Sequence, residues 1–360
     1  VDNASYPGGT CETAKAVAFT SGDCVFFVDG LRFDAGKRLR RALEAVGLTV
    51  SEEPFWAALP SVTATGKTAV TPVRDRICGR EGTLDFEPSV ADTGQSLKGG
   101  HPLKKLLDDA GWSILDRSAV GDGQGKAWCE CGDIDHEGHN RGWKLAKHLD
   151  ALIAEIAARI RELVTAGWKR VRVVTDHGWL LVPGGLPKTD LPGALTDNRW
   201  GRCAALKTGA ISEERLFPWY WNSSQYFALA DGVSCFRKGE EYTHGGLSLQ
   251  ECLTLHLTVT PGEAVHAAAA IELTDVAWKR LRCTVAVDGN YAGLSLDIRS
   301  QAGNALSSVV VSRKPLKENG TASVVVEDEE LEGQEATVVL IDSQGMLLAQ
   351  YPTVIGGGDR

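Results

Sequence analysis

The chain has 360 residues, of which 43% are hydrophobic and 24% are charged, and its formal net charge is -9. This length favours two domains, and the negative charge argues against a protein that coats nucleic acid through bulk positive charge. A local basic groove or bound metal ions would still allow nucleic acid to bind. No window holds about 18 consecutive apolar residues, so we expect no membrane-spanning helix.

The chain begins at Val1 and its single methionine is Met346, which favours a processed chain or a C-terminal fragment of a longer protein. Nine cysteines, an odd number scattered along the sequence, favour a reducing cytoplasm over a disulfide framework. Cys129 and Cys131 form the one close pair, and we interpret them as structural rather than as zinc ligands.

The first predicted strand is the apolar run at residues 24–29, which ends in the carboxylate of Asp29. The helix after it is predicted to have Asp34 as its N-cap, to run to about Ala45 and to end at Gly47. Asp29 therefore lies at a strand-to-helix junction. The alternative interpretation of Asp29 is an ordinary turn or capping aspartate.

Small hydroxyl residues follow Pro60 in residues 59–66 and are predicted to open a helix. A hydroxyl at a helix N-terminus has backbone N–H groups and the positive end of the helix dipole nearby, which favours an anion beside it. Such a position suits a nucleophile that attacks phosphorus. An ordinary Ser or Thr N-cap would give the same pattern.

Residues 81–130 are rich in Gly, Asp and Ser, and we predict long loops there, with a short helix and strand within residues 103–115. Residues 133–139 then hold three carboxylates and two histidines. This segment lacks the helical H-E-x-x-H zinc pattern, so we predict a loop that folds back on one ion, with Asp135 and His139 as ligands.

Apolar residues recur at helical spacing from residue 143 to about residue 165. Three of residues 171–174 are valine, a β-branched apolar pattern typical of a buried strand. A helix followed by such a strand is typical of α/β folds, which hold their active sites where the strands end. Asp176 and His177 lie at that point. They converge on one ion only if the backbone turns, which Gly178 permits; a surface Asp-His pair is the alternative.

Two cations, Arg199 and Arg202, follow in a polar loop, where they would either hold phosphate or be solvated. Farther along, His244 lies on a glycine-rich turn, directly before a capping-box-like pair formed by Ser248 and Glu251. A histidine of this kind, taken alone, is usually structural.

From about Thr260 onward, short strand-like runs alternate with turn residues, which predicts a separate β-sandwich of about 95 residues. The predicted domains are therefore a catalytic α/β domain at residues 1–258 and an Ig-like β-sandwich at residues 262–360.

Four segments in order, VDGLRFD, LPSVTATG, VVTDHGW and THGGLSLQE, resemble the alkaline phosphatase superfamily. They more closely resemble the PglZ-domain family of bacteriophage-resistance systems, BREX and the related phage growth limitation system. The resemblance covers roughly residues 20–255. It implies an alkaline-phosphatase-like, mostly parallel sheet sandwiched by helices, followed by the small all-β sandwich.

The resemblance also implies a site with two divalent ions, most readily Zn, with Mn as the alternative. The ligands of the first ion would be Asp29, Asp176 and His177, and those of the second would be Asp135, His139 and His244. Thr63 would attack phosphorus in line, helped by the first ion, while the second ion neutralises the leaving oxygen. Water would then release the phosphothreonine with overall retention of configuration.

The resemblance leaves alternatives at three positions. Ser61 or Thr65 would replace Thr63 as nucleophile, and Asp133 or His136 would replace Asp135 or His139. Arg32 and Lys67 are candidates for substrate binding, together with the two cations of the polar loop.

The sequence thus predicts a cytoplasmic, metal-dependent phosphoric ester hydrolase that acts in antiphage defence. We expect a phosphodiesterase or nuclease with a nucleic acid or nucleotide substrate, other defence-system proteins as partners, and no membrane contact. The alternative is a catalytically silent scaffold that binds defence proteins. A phosphomutase or sulfatase is a third option, although LPSVTATG lacks the usual sulfatase pattern.

Overall fold

A computed structural model describes residues 6–196, 200–213, 215–262, 271–289, 291–343, 345 and 347–357. The contacts among them define two compact units. The larger is drawn from Val1–Leu43 and Val50–Thr260, and the smaller from Glu44–Thr49 and Pro261–Arg360. Each unit has an apolar core of its own.

The strands in the first 260 residues are β1 (Asp23–Phe27), β2 (Thr49–Trp56), β3 (Ile77–Cys78), β4 (Ser89–Val90), β5 (Ser113–Leu115), β6 (Lys126–Glu130), β7 (Arg170–Val174), β8 (Leu180–Leu181), β9 (Cys203–Ala205), β10 (Leu216–Trp219), β11 (Asn222–Leu229), β12 (Tyr242–Thr243) and β13 (Leu253–Thr260). The α-helices are α1 (Phe33–Ala45), α2 (Thr63–Ala69), α3 (His101–Asp109), α4 (Ile134–Arg141), α5 (Leu149–Thr165) and α6 (Leu249–Cys252).

The main sheet has six strands in the order β2, β13, β7, β1, β6, β5. β1 is parallel to both β6 and β7, β5 is parallel to β6, and β13 is antiparallel to β7. All five residues of β1 are buried, as expected for a central strand that is covered on both faces. The predicted α/β class with a mostly parallel sheet is confirmed; smaller antiparallel sheets accompany it.

Two predicted helix boundaries are wrong. Asp34 lies inside the first turn of α1 rather than at its N-cap, and its carboxylate accepts hydrogen bonds from Arg32. The predicted helix at residues 143–165 is interrupted, because Gly142–Lys147 forms a 3-10 helix and α5 begins only at Leu149. The end of α1 before Gly47, which has a φ of 83°, agrees with the prediction.

The region predicted as long loops, residues 81–130, contains one strand of the main sheet that the prediction missed. β6 pairs with β1 along its whole length, and Ala127, Trp128 and Cys129 are fully buried in it. The predicted short helix and strand correspond to α3 and β5. Cys129 is therefore a core residue, which agrees with its interpretation as a structural cysteine.

The described part of the smaller unit is formed by strands packed around one core. These strands are β14 (Ile271–Lys279), β15 (Arg282–Gly289), β16 (Ser295–Arg299), β17 (Lys314–Pro315), β18 (Thr321–Val325), β19 (Glu335–Ile341) and β20 (Leu347–Val354). They form two antiparallel sheets, ordered β14, β15, β18 and β17, β16, β19, β20. Within the described residues of the whole chain, no helix is long and apolar enough to cross a membrane.

Candidate active site

Thr63 is the first residue of α2, directly after Val62, whose backbone is extended. The helix approaches the end of β7 closely, because a Cβ on Gly66 would lie 2.7 Å from the carbonyl oxygen of Asp176 and 2.8 Å from its Cβ. No side chain larger than hydrogen fits there without a shift. Gly66 therefore allows α2 to place Thr63 beside the residues that follow β7.

Asp29, Asp176 and His177 meet beyond the ends of the adjacent parallel strands β1 and β7. The His177 Nε2 atom lies 3.5 Å from Oδ1 of Asp29 and 3.5 Å from Oδ2 of Asp176. The Oγ1 atom of Thr63 lies 3.1 Å from the same Nε2 and 3.4 Å from Oδ1 of Asp29. The structure thus brings four of the predicted site residues together. We call Asp29, Asp176 and His177 the first group.

Asp176 has one oxygen that lacks a partner. Its Oδ1 accepts hydrogen bonds from the backbone N–H groups of Gly30, at 3.2 Å, and His177, at 3.1 Å. Its Oδ2 is buried and has no hydrogen-bond partner among the described residues. Leaving a buried carboxylate oxygen unpaired is costly, and a cation at this point would offset that cost.

The charges of the first group also favour a cation. Burial raises the pKa of Asp29 well above its usual range, and the neighbouring carboxylates of Asp176 and Asp135 raise it further. Like charges this close disfavour ionisation unless a positive charge lies between them.

The imidazole of His177 has the form of a metal ligand. Its Nδ1 lies 3.0 Å from the carbonyl oxygen of Gly178, which can only accept, so Nδ1 carries the proton and Nε2 presents its lone pair. Burial lowers the pKa of His177, which keeps the ring neutral. Gly178 itself has no positive φ, and close packing also requires glycine there, because a Cβ would lie 2.0 Å from the carbonyl oxygen of Gln250.

Asp135, His139 and His244 form the second group. Asp135 and His139 lie one turn apart on α4, so the predicted loop is a helix, and His244 follows β12. The Nε2 atom of His244 lies 3.5 Å from Oδ1 of Asp135 and 3.2 Å from Nε2 of His139, which is 3.6 Å from Oδ2 of Asp135. The Nδ1 atom of His244 lies 3.0 Å from the carbonyl oxygen of Ser61, so its Nε2 is also free to act as a ligand.

Both groups have the spacing of ligands around a small ion. A tetrahedral ion with bonds of about 2.1 Å holds its ligands about 3.4 Å apart. The contacts within the groups range from 3.2 to 3.6 Å. Neutral imidazoles together with carboxylates are a donor set that zinc accepts. The residues present therefore fit one such ion in each group.

Two buried contacts that the sequence prediction missed support the second group. The hydroxyl of Tyr242 donates to Oδ1 of Asp135 at 2.8 Å. Arg202 forms a bidentate pair with Glu251, at 3.0 and 2.8 Å, and Glu251 also accepts from the backbone N–H of Gly246 at 2.7 Å. Both contacts hold the strand and turn on either side of His244.

Arg202 therefore has neither of its predicted roles, because its ion pair leaves it only 1% exposed. The capping box of Ser248 and Glu251 is confirmed. Arg199 lies outside the described residues.

The alternative site residues lie in other contacts. Ser61 donates its hydroxyl to the carbonyl oxygen of Gly246 at 2.7 Å, and the hydroxyl of Thr65 accepts from Trp219 at 3.0 Å. Asp133 pairs with Arg117, and His136 contacts the amide of Asn140 at 2.8 Å. None of these four belongs to either group, as far as the described residues extend.

The two predicted substrate-binding cations differ in position. Lys67 donates to Glu130 at 2.7 Å and lines a cavity of about 760 Å³ that Thr63 also lines. Arg32 instead pairs with Asp34 and stacks over the ring of Trp179 at 3.7 Å. Arg32 does not line this cavity, and its role in substrate binding stays a prediction.

The chain matches no protein-family model, and no curated protein matches its sequence. Among solved structures, it is similar to murine ectonucleotide pyrophosphatase/phosphodiesterase 5 and to an inactive form of that protein in complex with AMP. In each case the identity is 12%, the TM-score is 0.44, and the match covers 66% of this chain and 87% of the other.

Proposed function

We propose that this chain is a metal-dependent phosphoesterase, and within that class a phosphodiesterase with Thr63 as its nucleophile. The observation that carries the proposal is the position of the Thr63 hydroxyl, 3.1 Å from His177 Nε2 and 3.4 Å from Asp29 Oδ1. Of the three hydroxyls in its segment, Thr63 is the one that contacts the first group. The other two, Ser61 and Thr65, are engaged in buried hydrogen bonds elsewhere.

The two groups would each hold one divalent ion, Zn in preference to Mn. Bound there, such ions supply Lewis-acid stabilisation of charge on the phosphoryl oxygens and lower the pKa of a nearby hydroxyl. The unpartnered oxygen of Asp176 and the spacing of the donor atoms support this assignment.

The residues of the chain then act in a simple order. Asp29 Oδ1 accepts the hydrogen bond of the Thr63 hydroxyl and so directs the remaining lone pairs of Oγ1 away from the carboxylate. Thr63 loses its hydroxyl proton to solvent and attacks phosphorus, the leaving ester oxygen takes up a proton from solvent, and a phosphodiester between Thr63 and the rest of the substrate remains. A water molecule then attacks the same phosphorus and restores the hydroxyl. Two in-line displacements retain the configuration at phosphorus.

We further propose that the enzyme serves in antiphage defence in the cytoplasm, with a nucleic acid or nucleotide as substrate and other defence proteins as partners. The support is the ordered resemblance of VDGLRFD, LPSVTATG, VVTDHGW and THGGLSLQE to the PglZ-domain family. The four segments contribute Asp29, Thr63, Asp176 with His177, and His244 to the site.

The test combines metal analysis with hydrolysis. We expect two divalent ions per chain, and metal-dependent hydrolysis of bis(p-nitrophenyl) phosphate in preference to p-nitrophenyl phosphate. Thr63→Ala should lower kcat by a factor of about 10³ or more, whereas Thr63→Ser should keep measurable activity. Full activity in both Thr63→Ala and Asp176→Ala would contradict the mechanism. A folded chain without stoichiometric metal and without hydrolysis of either ester would favour the scaffold instead.

A further inference from the structure

Two cavities meet at the candidate active site. The first, of about 760 Å³, reaches Thr63 and His244, and the second, of about 480 Å³, reaches Asp29. Cavities of several hundred Å³ take whole small-molecule ligands, so there is room for more than the phosphoryl group that Thr63 attacks. The side chains that line both cavities, here called the common wall, are Lys67, Lys104, Glu130, Asp135 and His139.

One carboxylate of the common wall faces two lysines. Oε2 of Glu130 accepts from Lys67 at 2.7 Å, and Oε1 accepts from Trp128 Nε1 at 2.9 Å, so both oxygens have partners. Burial would raise the pKa of Glu130, but Lys67, Trp128 and Lys104 hold it below its usual range. Glu130 is therefore ionised. The negative charge of Glu130 balances only one of the two positive charges of Lys67 and Lys104.

That surplus charge belongs to Lys104. Among the described residues its ammonium group has no hydrogen bond or ion pair, whereas Lys67 is paired with Glu130. Arg117, which lines the second cavity, is paired with Asp133. A half-buried lysine without a partner is a point charge available to a ligand.

The acidic residues nearby restrict where an anion would bind. Glu87 and Glu240 line only the first cavity, and Asp29, Asp116 and Asp133 line only the second, where Asp133 is paired with Arg117. Asp135 belongs to the second group, where the two neighbouring histidines and the proposed ion take up its charge. An anionic group is therefore favoured at the common wall, beside Lys104.

We infer that Lys104 binds a second anionic group of the substrate, so that the preferred substrates are phosphodiesters that carry another phosphate, such as phosphorylated nucleotides or oligonucleotides. The inference rests on the proposed function, because it assigns the reacting phosphorus to Thr63. Lys104 then contributes to substrate specificity. It holds a part of the substrate that does not change during the reaction, and it therefore acts mainly on KM.

A matched pair of substrates and a matched pair of variants test this assignment. The substrates are p-nitrophenyl thymidine 5′-phosphate with and without a 3′-phosphate. The variants are Lys104→Met and Lys105→Met, since Lys105 is exposed on the same helix and lines neither cavity. We expect wild type to prefer the 3′-phosphorylated ester, and Lys104→Met to reduce that preference in kcat/KM about tenfold, through KM. Lys105→Met should keep the wild-type ratio.

Equilibrium binding separates failure of the inference from failure of the proposed function. Thymidine 3′,5′-bisphosphate and thymidine 5′-phosphate are titrated against the metal-loaded wild type and both variants. If hydrolysis is absent but Lys104→Met alone loses its preference for the bisphosphate, the proposed function fails and the anion site stands. The inference is overturned if wild type prefers neither ligand, if Lys104→Met keeps the wild-type preference, or if Lys105→Met loses as much.

Discussion

The candidate ligand atoms of both groups are oriented by neighbours that would not themselves touch an ion. The ring nitrogens of His177 and His244 that face away from the groups are held by backbone carbonyl oxygens, and Asp135 is held by the hydroxyl of Tyr242. Partners of this kind set the tautomer and direction of a ligand before the ion arrives. The affinity for metal should thus depend on them.

Tyr242→Phe tests this dependence. Removing the hydroxyl leaves Oδ1 of Asp135 without its donor, so we expect the affinity of one of the two metal sites to fall roughly 10- to 100-fold. The other site should change less. Competition with a chromophoric chelator measures both affinities.

Tyr226→Phe is the control, because Tyr226 is 45% exposed on β11. If Tyr242→Phe binds both ions as wild type does, the hydroxyl has no positioning role.

The acidic, histidine and hydroxyl residues of the candidate site could be predicted from the sequence. Folding seldom requires acids and histidines as close together as Asp135 and His139, so such a cluster indicates a functional site. The sequence did not predict the contact of Tyr242 with Asp135 or that of the Ser61 carbonyl oxygen with His244. Neither follows a periodic pattern, and each reaches its partner across more than a hundred residues of chain.

Helix α2 and the end of strand β7 position Thr63, Asp176 and His177 relative to one another. Gly66 permits their close approach, and the same helix carries Thr63 at its first position. Any displacement of α2 from the strand end therefore moves the hydroxyl relative to Asp29 and His177.

Gly66→Ala is expected to impair catalysis more than folding. The added methyl would meet Asp176 at 2.7 to 2.8 Å, which should cost about 1–3 kcal/mol of stability and separate Thr63 from the first group. We expect kcat to fall at least tenfold while the chain stays folded at 25 °C. Urea unfolding and steady-state kinetics measure the two effects.

Ala69→Gly at the end of the same helix is the control: it costs about 1 kcal/mol of helix propensity but places no atom against Asp176. Equal losses of kcat in both variants would mean that helix stability, rather than the contact at Gly66, is what matters.

Glycines also explain where the sequence prediction failed. Residues 133–139 were predicted to form a loop, yet Gly138 lies inside α4, and Gly178, which was predicted to permit a turn, has no positive φ. A Cβ at Gly138 would lie 2.2 Å from the ring of Tyr242. Both residues are glycine because another part of the chain lies against them. Close packing of distant segments leaves no local pattern, so sequence reasoning assigns such glycines to turns.

At the scale of the molecule, the prediction recognised the central strands β1 and β7 and missed their neighbour β6. Asp29 and Asp176 each lie two residues beyond the end of an apolar strand, β1 or β7, whereas β6 lies within a region rich in turn-forming residues. β6 forms a strand because it pairs with β1, which lies far from it in the sequence. A local sequence pattern does not show such a pairing. The chain forms two compact units. The predicted domain boundaries, at residues 258 and 262, stay a prediction.

Thiol labelling can follow each unit separately. Cys203 and Cys252 are buried in the larger unit and Cys283 in the smaller. Saturating Mn at about 100 times its Kd should stabilise the larger unit by about 2.7 kcal/mol and slow the labelling of Cys203 and Cys252 up to about 100-fold. Mass spectrometry of the labelled peptides gives the rates, with Cys283 as the internal reference. Unchanged labelling of Cys203 and Cys252 would contradict the binding of Mn by the larger unit.

The rings of His177 and His244 lie parallel, with their centroids 3.8 Å apart and an angle of 9° between the planes. One ring belongs to each group, so neither can tilt without disturbing the other. A first ion that fixes His177 also removes the freedom of His244, and the ordering cost for the second ion becomes smaller. Occupancy of one group would then favour occupancy of the other, to the extent that the shared ordering of the two rings outweighs the repulsion between the ions.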